Sequence, residues 1–278
     1  MTGGSWPGSF IEMDEQSFLA EAVRLVDVAR ARGIVLRILG AVGVYAHSLD
    51  SNAAGLFGAV GRFEGRKQIF TDLDLAGYSG QRKEITNFFR EMKFQPAGMV
   101  NALFGSRRMI FYHPTLGFQT DVFFDRLEFS HDVQFGERPG EGRLELDYPT
   151  VTLADLVLEK LQIHTINRKD LVDLVVLFAG HEIRSGERDS VDGKYISSVL
   201  SDDWGFWYDA VANLNKVRDF AGGMAARNIL PETLSLASER VGQLLSLIEA
   251  APKSAEWQKR ARKGTAKKWY REVEEVSR

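Results

Sequence analysis

The chain has no cysteine among its 278 residues. Disulfides, thiolate metal sites and cysteine nucleophiles are therefore excluded, and the composition fits a reducing compartment, so a cytoplasmic location is the expectation. Also missing is an apolar run of the roughly 18 residues that a membrane span requires. The best stretch, Leu171 to Ala179, is interrupted by Asp173, and no membrane partner is expected. Met1 to Phe10, Gly- and Ser-rich, has no basic segment followed by an apolar core and reads as a loose leader rather than a secretion signal. Net charge is small: 35 Lys and Arg against 38 Asp and Glu leave −3, which by itself neither invites nor repels a polyanion. The five histidines, His47, His113, His131, His164 and His181, are scattered without metal-ligand spacing. A histidine metal site is not expected.

What is present suits a folded protein. Apolar residues make up 44% and charged residues 26%, enough for a packed core, and the length suits one or two domains, two being the working count. No internal repeat is visible. Asp14 to Arg32 has apolar positions at helical spacing, an acidic start and Gly33 as its stop. Ile34 to Leu39 is β-branched and apolar, Gly40 follows, and Ala41 to Leu49 is helical in composition. Ser51 to Gly65, spotted with four glycines, reads as a mobile loop. Ile69 to Tyr78, Val100 to Phe104, Met109 to Tyr112 and Phe118 to Phe124 read as strands, with a helix over Gln81 to Lys93. After Tyr148 the pattern becomes helical, over Thr152 to Leu161, Lys169 to Ala179, Asp202 to Phe220, Pro231 to Ala250 and Trp257 to Val276. Glu182 to Gly193 is the flexible connection among them. The expectation is an α+β protein, with a mixed-sheet domain over 1–148 followed by a helical domain over 149–278.

The chemistry concentrates in Thr71-Asp72-Leu73-Asp74-Leu75. Side chains two apart on a strand share a face, so Asp72 and Asp74 point together, their Cα atoms roughly 6.6 Å apart, while Leu73 and Leu75 enter the core. Two carboxylates so placed repel by on the order of 4 kcal/mol at 4 Å and an effective dielectric near 20, and a cation relieves that. Magnesium, with its preference for oxygen ligands and substrate phosphates, is the natural choice. Asp121, on the later strand, can supply a third carboxylate. Asp125, of the same parity but nearer the strand end, reads better as a strand terminator. Gly40-Ala41-Val42-Gly43, where a strand runs into a helix, would present backbone N–H groups to an anion.

This order of strand, glycine turn, helix, Asp72-x-Asp74 and a single later Asp121 resembles the nucleotidyltransferase superfamily of the DNA polymerase β type. Leu158-Glu159-Lys160-Leu161 with Asn167 to Leu174, including Lys169-Asp170-Leu171-Val172-Asp173, is similar to the lysine helix and Lys-Asp-x-x-Asp element of the AbiEii-like branch, whose members include toxins of type IV toxin-antitoxin pairs. The resemblance covers Ile34 to Ala179. It implies a nucleotidyltransferase fold with Asp72, Asp74 and Asp121 holding two magnesium ions, an NTP near Gly40, Ala41 and Gly43, Lys160 meeting phosphate charge at the junction of the domains, and Asp170 supporting the active site. An antitoxin partner is also implied. At the first motif the chain departs from the branch, with Gly40-Ala41 in place of the usual Gly-Gly or Gly-Ser, and Gly43 to Asp72 is longer than in compact members.

From Lys253 to Arg271 there are eight basic residues and one acid, Glu256, so this segment carries +7 and the remainder −10. Trp257, Trp269 and Tyr270 interleave the cations, which suits a phosphate backbone with stacked bases, or else a terminal helix docked by its aromatics. The expected function is transfer of an NMP group from an NTP to a hydroxyl of RNA, tRNA or a small molecule. The rival is a non-catalytic nucleotide- or partner-binding protein that keeps the fold. His164, four residues after Lys160, is expected on the same helix face.

Overall fold

A computed structural model describes residues 13–62, 69–186, 189–225 and 229–272. The leader, the end of the glycine-spotted stretch and the last residues of the chain lie outside the described residues. The protein is α+β. It forms two compact units, one made of Met1–Ala46, Gly65–Leu127 and Gln134–Thr152, the other of His47–Glu64, Glu128–Val133 and Leu153–Arg278.

In the first unit, α1 (Glu15–Ala31) starts where the Asp14 side chain accepts from the Ser17 N–H at 2.8 Å, and it buries Phe18, Ala22, Leu25, Val26 and Ala29 on one stripe. β1 (Leu36–Leu39) is buried along its whole length and leads directly into α2 (Gly40–Ser48). β2 (Asp72–Gly77), α4 (Arg82–Glu91), β3 (Gln95–Pro96), α5 (Gly98–Phe104), β4 (Arg108–Tyr112) and β5 (Gln119–Phe124) complete the unit's main elements, α3 (Leu56–Val60) belonging to the second unit. The five strands run in the order β1-β2-β5-β4-β3. Only β2 and β5 are parallel; the other neighbours are antiparallel. Leu73, Leu75 and Val122 are fully buried, as the alternation of the strands requires, and Phe18, Phe70 and Phe118 form an aromatic cluster with ring centroids 4.9–5.4 Å apart.

Val100 to Phe104 is a helix and not a strand. Its apolar run is too short for periodicity to separate the two, and Asn101 decides the matter. Asn101 Nδ2 donates to the Ile110 carbonyl at 2.8 Å and the Ile110 N–H donates to Asn101 Oδ1 at 2.7 Å, so an amide side chain joins the Ala97 N–H, which donates to the same carbonyl at 3.0 Å, in pairing with β4. Asp125 ends β5 with φ 65°, and its side chain accepts from the Ser79 N–H at 2.7 Å, a turn role rather than a site role.

The second unit contains α3 (Leu56–Val60), α6 (Leu153–Leu161), α7 (Arg168–Gly180), α8 (Gly193–Asp202), α9 (Trp204–Ala225), α10 (Pro231–Ala250) and α11 (Ala255–Ala261). Every residue of α6 is buried, and α10 packs along α7, α8 and α9. Two-stranded ribbons join β6 (Arg126–Glu128) to β7 (Asp132–Gln134) and β8 (Ile183–Arg184) to β9 (Val191–Asp192). Three expectations need correction. The glycine-spotted loop contains α3, which buries Leu56, Phe57 and Val60. The connection after α7 carries the parallel pair β8–β9, and α8 begins at Gly193 behind the Asp192 cap. The terminal helix ends at Ala261, because Arg260 folds back onto the carbonyls of Gly264 and Lys267 (2.9 and 2.7 Å), and Gly264 takes a φ of 49°.

Candidate metal centre

Register builds the site. Asp74 pairs directly with Asp121 across the parallel β2–β5 ladder, and Asp72 is two residues back on the face of Asp74. One oxygen from each of Asp72, Asp74 and Asp121 lies within 4.8 Å of the other two. Asp72 and Asp74 are half-buried, whereas Asp121 is 1% exposed. The Thr71 hydroxyl donates to Asp72 Oδ1 at 2.9 Å.

Gly40 fits against this cluster. Antiparallel pairing sets Leu39 opposite Asp74, so the next residue, at the start of α2, comes close to the carboxylate. A Cβ on Gly40 would lie 2.6 Å from Asp74 Oδ2, and φ is +68°, so both space and backbone require glycine here. Gly43 is buried and Ala41 half-buried in the first turn of α2.

Arg108, which the sequence reading passes over, belongs to the site. Its Nη2 lies 2.9 Å from Asp121 Oδ2 and its Nε 3.2 Å from Oδ1, and Gln119 Nε2 donates to Oδ2 at 2.9 Å. Burial pushes the Asp121 carboxyl above its usual range, with Asp72 adding to the effect, and Arg108 and Gln119 offset only part of it. Strand parity was the available signal: β4 pairs antiparallel with β5, Ile110 faces Asp121, and Arg108 is two residues along.

Lys160 and Asp170 lie in the second unit, in a network of their own. Lys160 Nζ is 2.9 Å from Glu159 Oε1, 3.3 Å from Asp173 Oδ2 and 3.7 Å from Asp170 Oδ1. Arg62 holds Asp173 with two bonds of 2.8 and 3.0 Å. Burial alone would lower the Lys160 value, but Glu159, Asp173 and Asp170 outweigh it and hold the ammonium charged well above its ordinary range. Burial likewise opposes ionisation of Asp173, and Arg62 and Lys160 reverse the effect, leaving its carboxyl below the usual value. Asn167, rather than an aspartate, caps α7 by accepting from the Asp170 N–H at 3.2 Å. Nothing near Arg62 in the sequence announces a partner 111 residues away.

His164 is occupied elsewhere: its Nδ1 lies 2.9 Å from Asp209 Oδ1, and its ring stacks on Tyr270 with centroids 3.5 Å apart. The aromatics of the basic segment are docked in the same unit. Trp269 Nε1 donates to Asp209 Oδ1 at 3.0 Å, and Trp257 meets Trp207 edge-on at 5.1 Å. Lys253 bonds the carbonyl of Ala251, and Arg271 that of Phe129. Arg262, Lys263 and Lys267 are exposed.

No family model matches this chain, and neither a curated protein nor a solved structure matches it. Among the described residues no helix is long and apolar enough to cross a membrane.

Proposed function

We propose that the chain is a metal-dependent nucleotidyltransferase that moves an NMP group from an NTP to a hydroxyl acceptor. The observation that carries this is the ladder register of Asp74 with Asp121, which gathers three carboxylates within 4.8 Å beside a glycine that leaves room for no side chain. Hard oxygen donors of this number suit magnesium. Asp72 and Asp74, with Asp121, would hold it. Bound there, magnesium supplies positive charge to a polyphosphate and to the developing charge on the α-phosphate.

The protein's own groups divide the remaining work. Asp121, paired in register with Asp74 and facing the same cluster, would take the proton of the acceptor hydroxyl. The acceptor oxygen then bonds to the α-phosphorus, and the bond from that phosphorus to the bridging oxygen breaks, releasing pyrophosphate. The close approach of Gly40 to Asp74 fixes where that carboxylate stands. RNA is the acceptor class that the exposed cations Arg262, Lys263 and Lys267 favour over a small molecule.

One observation favours a second reading, nucleotide binding without turnover: Arg108 engages both oxygens of Asp121. Incubation with magnesium, α-labelled NTPs and total RNA separates the two. Label transferred to RNA, reduced at least about a thousandfold in Asp74→Asn, supports the transferase. Full activity in that variant ends the assignment, and NTP binding by calorimetry with no transfer favours the second reading.

A further inference from the structure

Asp121, the most deeply buried carboxylate of the triad, is engaged through both of its oxygens. Arg108 reaches both of its oxygens and Gln119 reaches Oδ2. An ionised carboxylate offers about four acceptor positions, so three donors leave about one. The arrangement is set by the sheet: Arg108 shares the face of Ile110, which lies opposite Asp121, and its guanidinium carbon stands 5.2 Å from the centroid of the Phe123 ring. Exposure is unequally divided. The Arg108 side chain keeps 32% of its surface in water and the Asp121 side chain 2%, so the guanidinium has an open side towards solvent and the carboxylate has not.

Charge points the same way. Arg108 and a divalent ion would bring like charge to the same carboxylate, Asp121. Their mutual repulsion favours one of the two there at a time.

We propose that Arg108 is a resident counter-cation that holds Asp121 in the metal-free protein and competes with a divalent ion for it, so that Asp121 becomes a full metal ligand or proton acceptor only after the guanidinium has swung out. Arg108 is thus a positioning residue. This rests on the reading of Asp72, Asp74 and Asp121 as a divalent-cation site.

Manganese alone tests it on the full chain, with free Mn2+ followed by electron paramagnetic resonance and unfolding midpoints taken in EDTA and in Mn2+. Arg108→Met is expected to bind Mn2+ more tightly by on the order of tenfold. Its midpoint should fall in EDTA, where Asp121 has lost its partner, and recover with Mn2+ by more than wild type gains. An arginine with a merely structural role would lower the midpoint equally in both conditions and leave Mn2+ affinity unchanged or weaker, and that result overturns the proposal. Should Arg108→Met fail to fold, Arg108→Lys, which keeps the charge without the two-pronged geometry, carries the test. A gain in affinity of a few fold supports competition, and none refutes it. Asp74→Asn separates the two levels of argument. Mn2+ binding that depends on Asp74 and ignores Arg108 refutes the counter-cation alone, whereas absence of Asp74-dependent binding in wild type refutes the metal centre and the counter-cation with it.

Discussion

On the sheet, Arg108 engages one of three clustered carboxylates; in the helical unit, Lys160 stands among three, one of which Arg62 also holds. Asp121 is buried and Asp72 and Asp74 half-buried, while Lys160 and Asp173 are both sealed from water. In the helical network Lys160 and Asp173 hold each other in their charged forms. In the sheet cluster Asp121 is shifted towards its neutral form, because burial outweighs Arg108 and Gln119. Similar residue types thus yield mutual charge support in one place and a carboxylate burdened by its burial in the other, and the deciding quantity is whether the neighbours of each group outweigh its desolvation.

The comparison breaks most visibly at Lys160. Lys160→Met would take from Glu159, Asp170 and Asp173 the ammonium they share, and should cost about 3–5 kcal/mol in urea unfolding. The same substitution, aspartate to asparagine, sharpens the contrast. Asp173→Asn should cost about 3 kcal/mol, since Arg62 and Lys160 lose their shared anion, while Asp74→Asn should leave the metal-free protein unchanged or slightly more stable, because it removes a repulsion. Equal losses in the two variants would show that the clusters are not different in kind. Gly40→Ala comes next, at about 1–3 kcal/mol from the positive φ and the crowding of Asp74, with weaker Mn2+ binding measured by the same resonance titration.

pH separates the clusters by sign. Asp173 lies below its ordinary value of 3.8 in the folded state, so its stabilisation is complete above 3.8 and is lost as pH falls through the lower folded value. Asp121 lies above 3.8 when folded, so its contribution is most favourable below 3.8 and declines as pH rises through the higher folded value. In EDTA, unfolding midpoints between pH 3 and 7 should show wild type losing its advantage over Asp173→Asn towards acid, and losing ground against Asp121→Asn towards neutrality. The smallest effect belongs to Arg262, Lys263 and Lys267. Neutralising all three should change stability by less than about 0.5 kcal/mol and lower the salt slope of RNA binding by about one unit per cation.

Much of this was legible in the sequence, for reasons that particular residues make plain. Alternation in Asp72-Leu73-Asp74-Leu75 gave both the buried leucines and the paired acids, because a strand's two-residue period is a local property. Pro231 and the apolar spacing behind it marked α10 from its first residue to its last, Pro231–Ala250. Where a distant group decides the outcome, the local pattern failed. Asn101 becomes helical in order to reach Ile110, and Arg62 and Arg108 matter only because pairing brings Asp173 and Asp121 to them. The basic segment shows a choice that composition leaves open: it suited either stacked bases or a docked terminus, and the group that docks the Trp269 indole, Asp209, belongs to another helix.

The amide of Asn101 has a further effect at the border of the sheet. β3 pairs only with Tyr112 and Phe111 of β4, and although the Ala97 N–H still reaches the Ile110 carbonyl at 3.0 Å, the Ile110 N–H would be left open to a foreign strand. With that N–H taken by the Asn101 side chain, which also bonds the carbonyl, the ladder offers no template there for self-association, and a two-residue strand suffices to finish it.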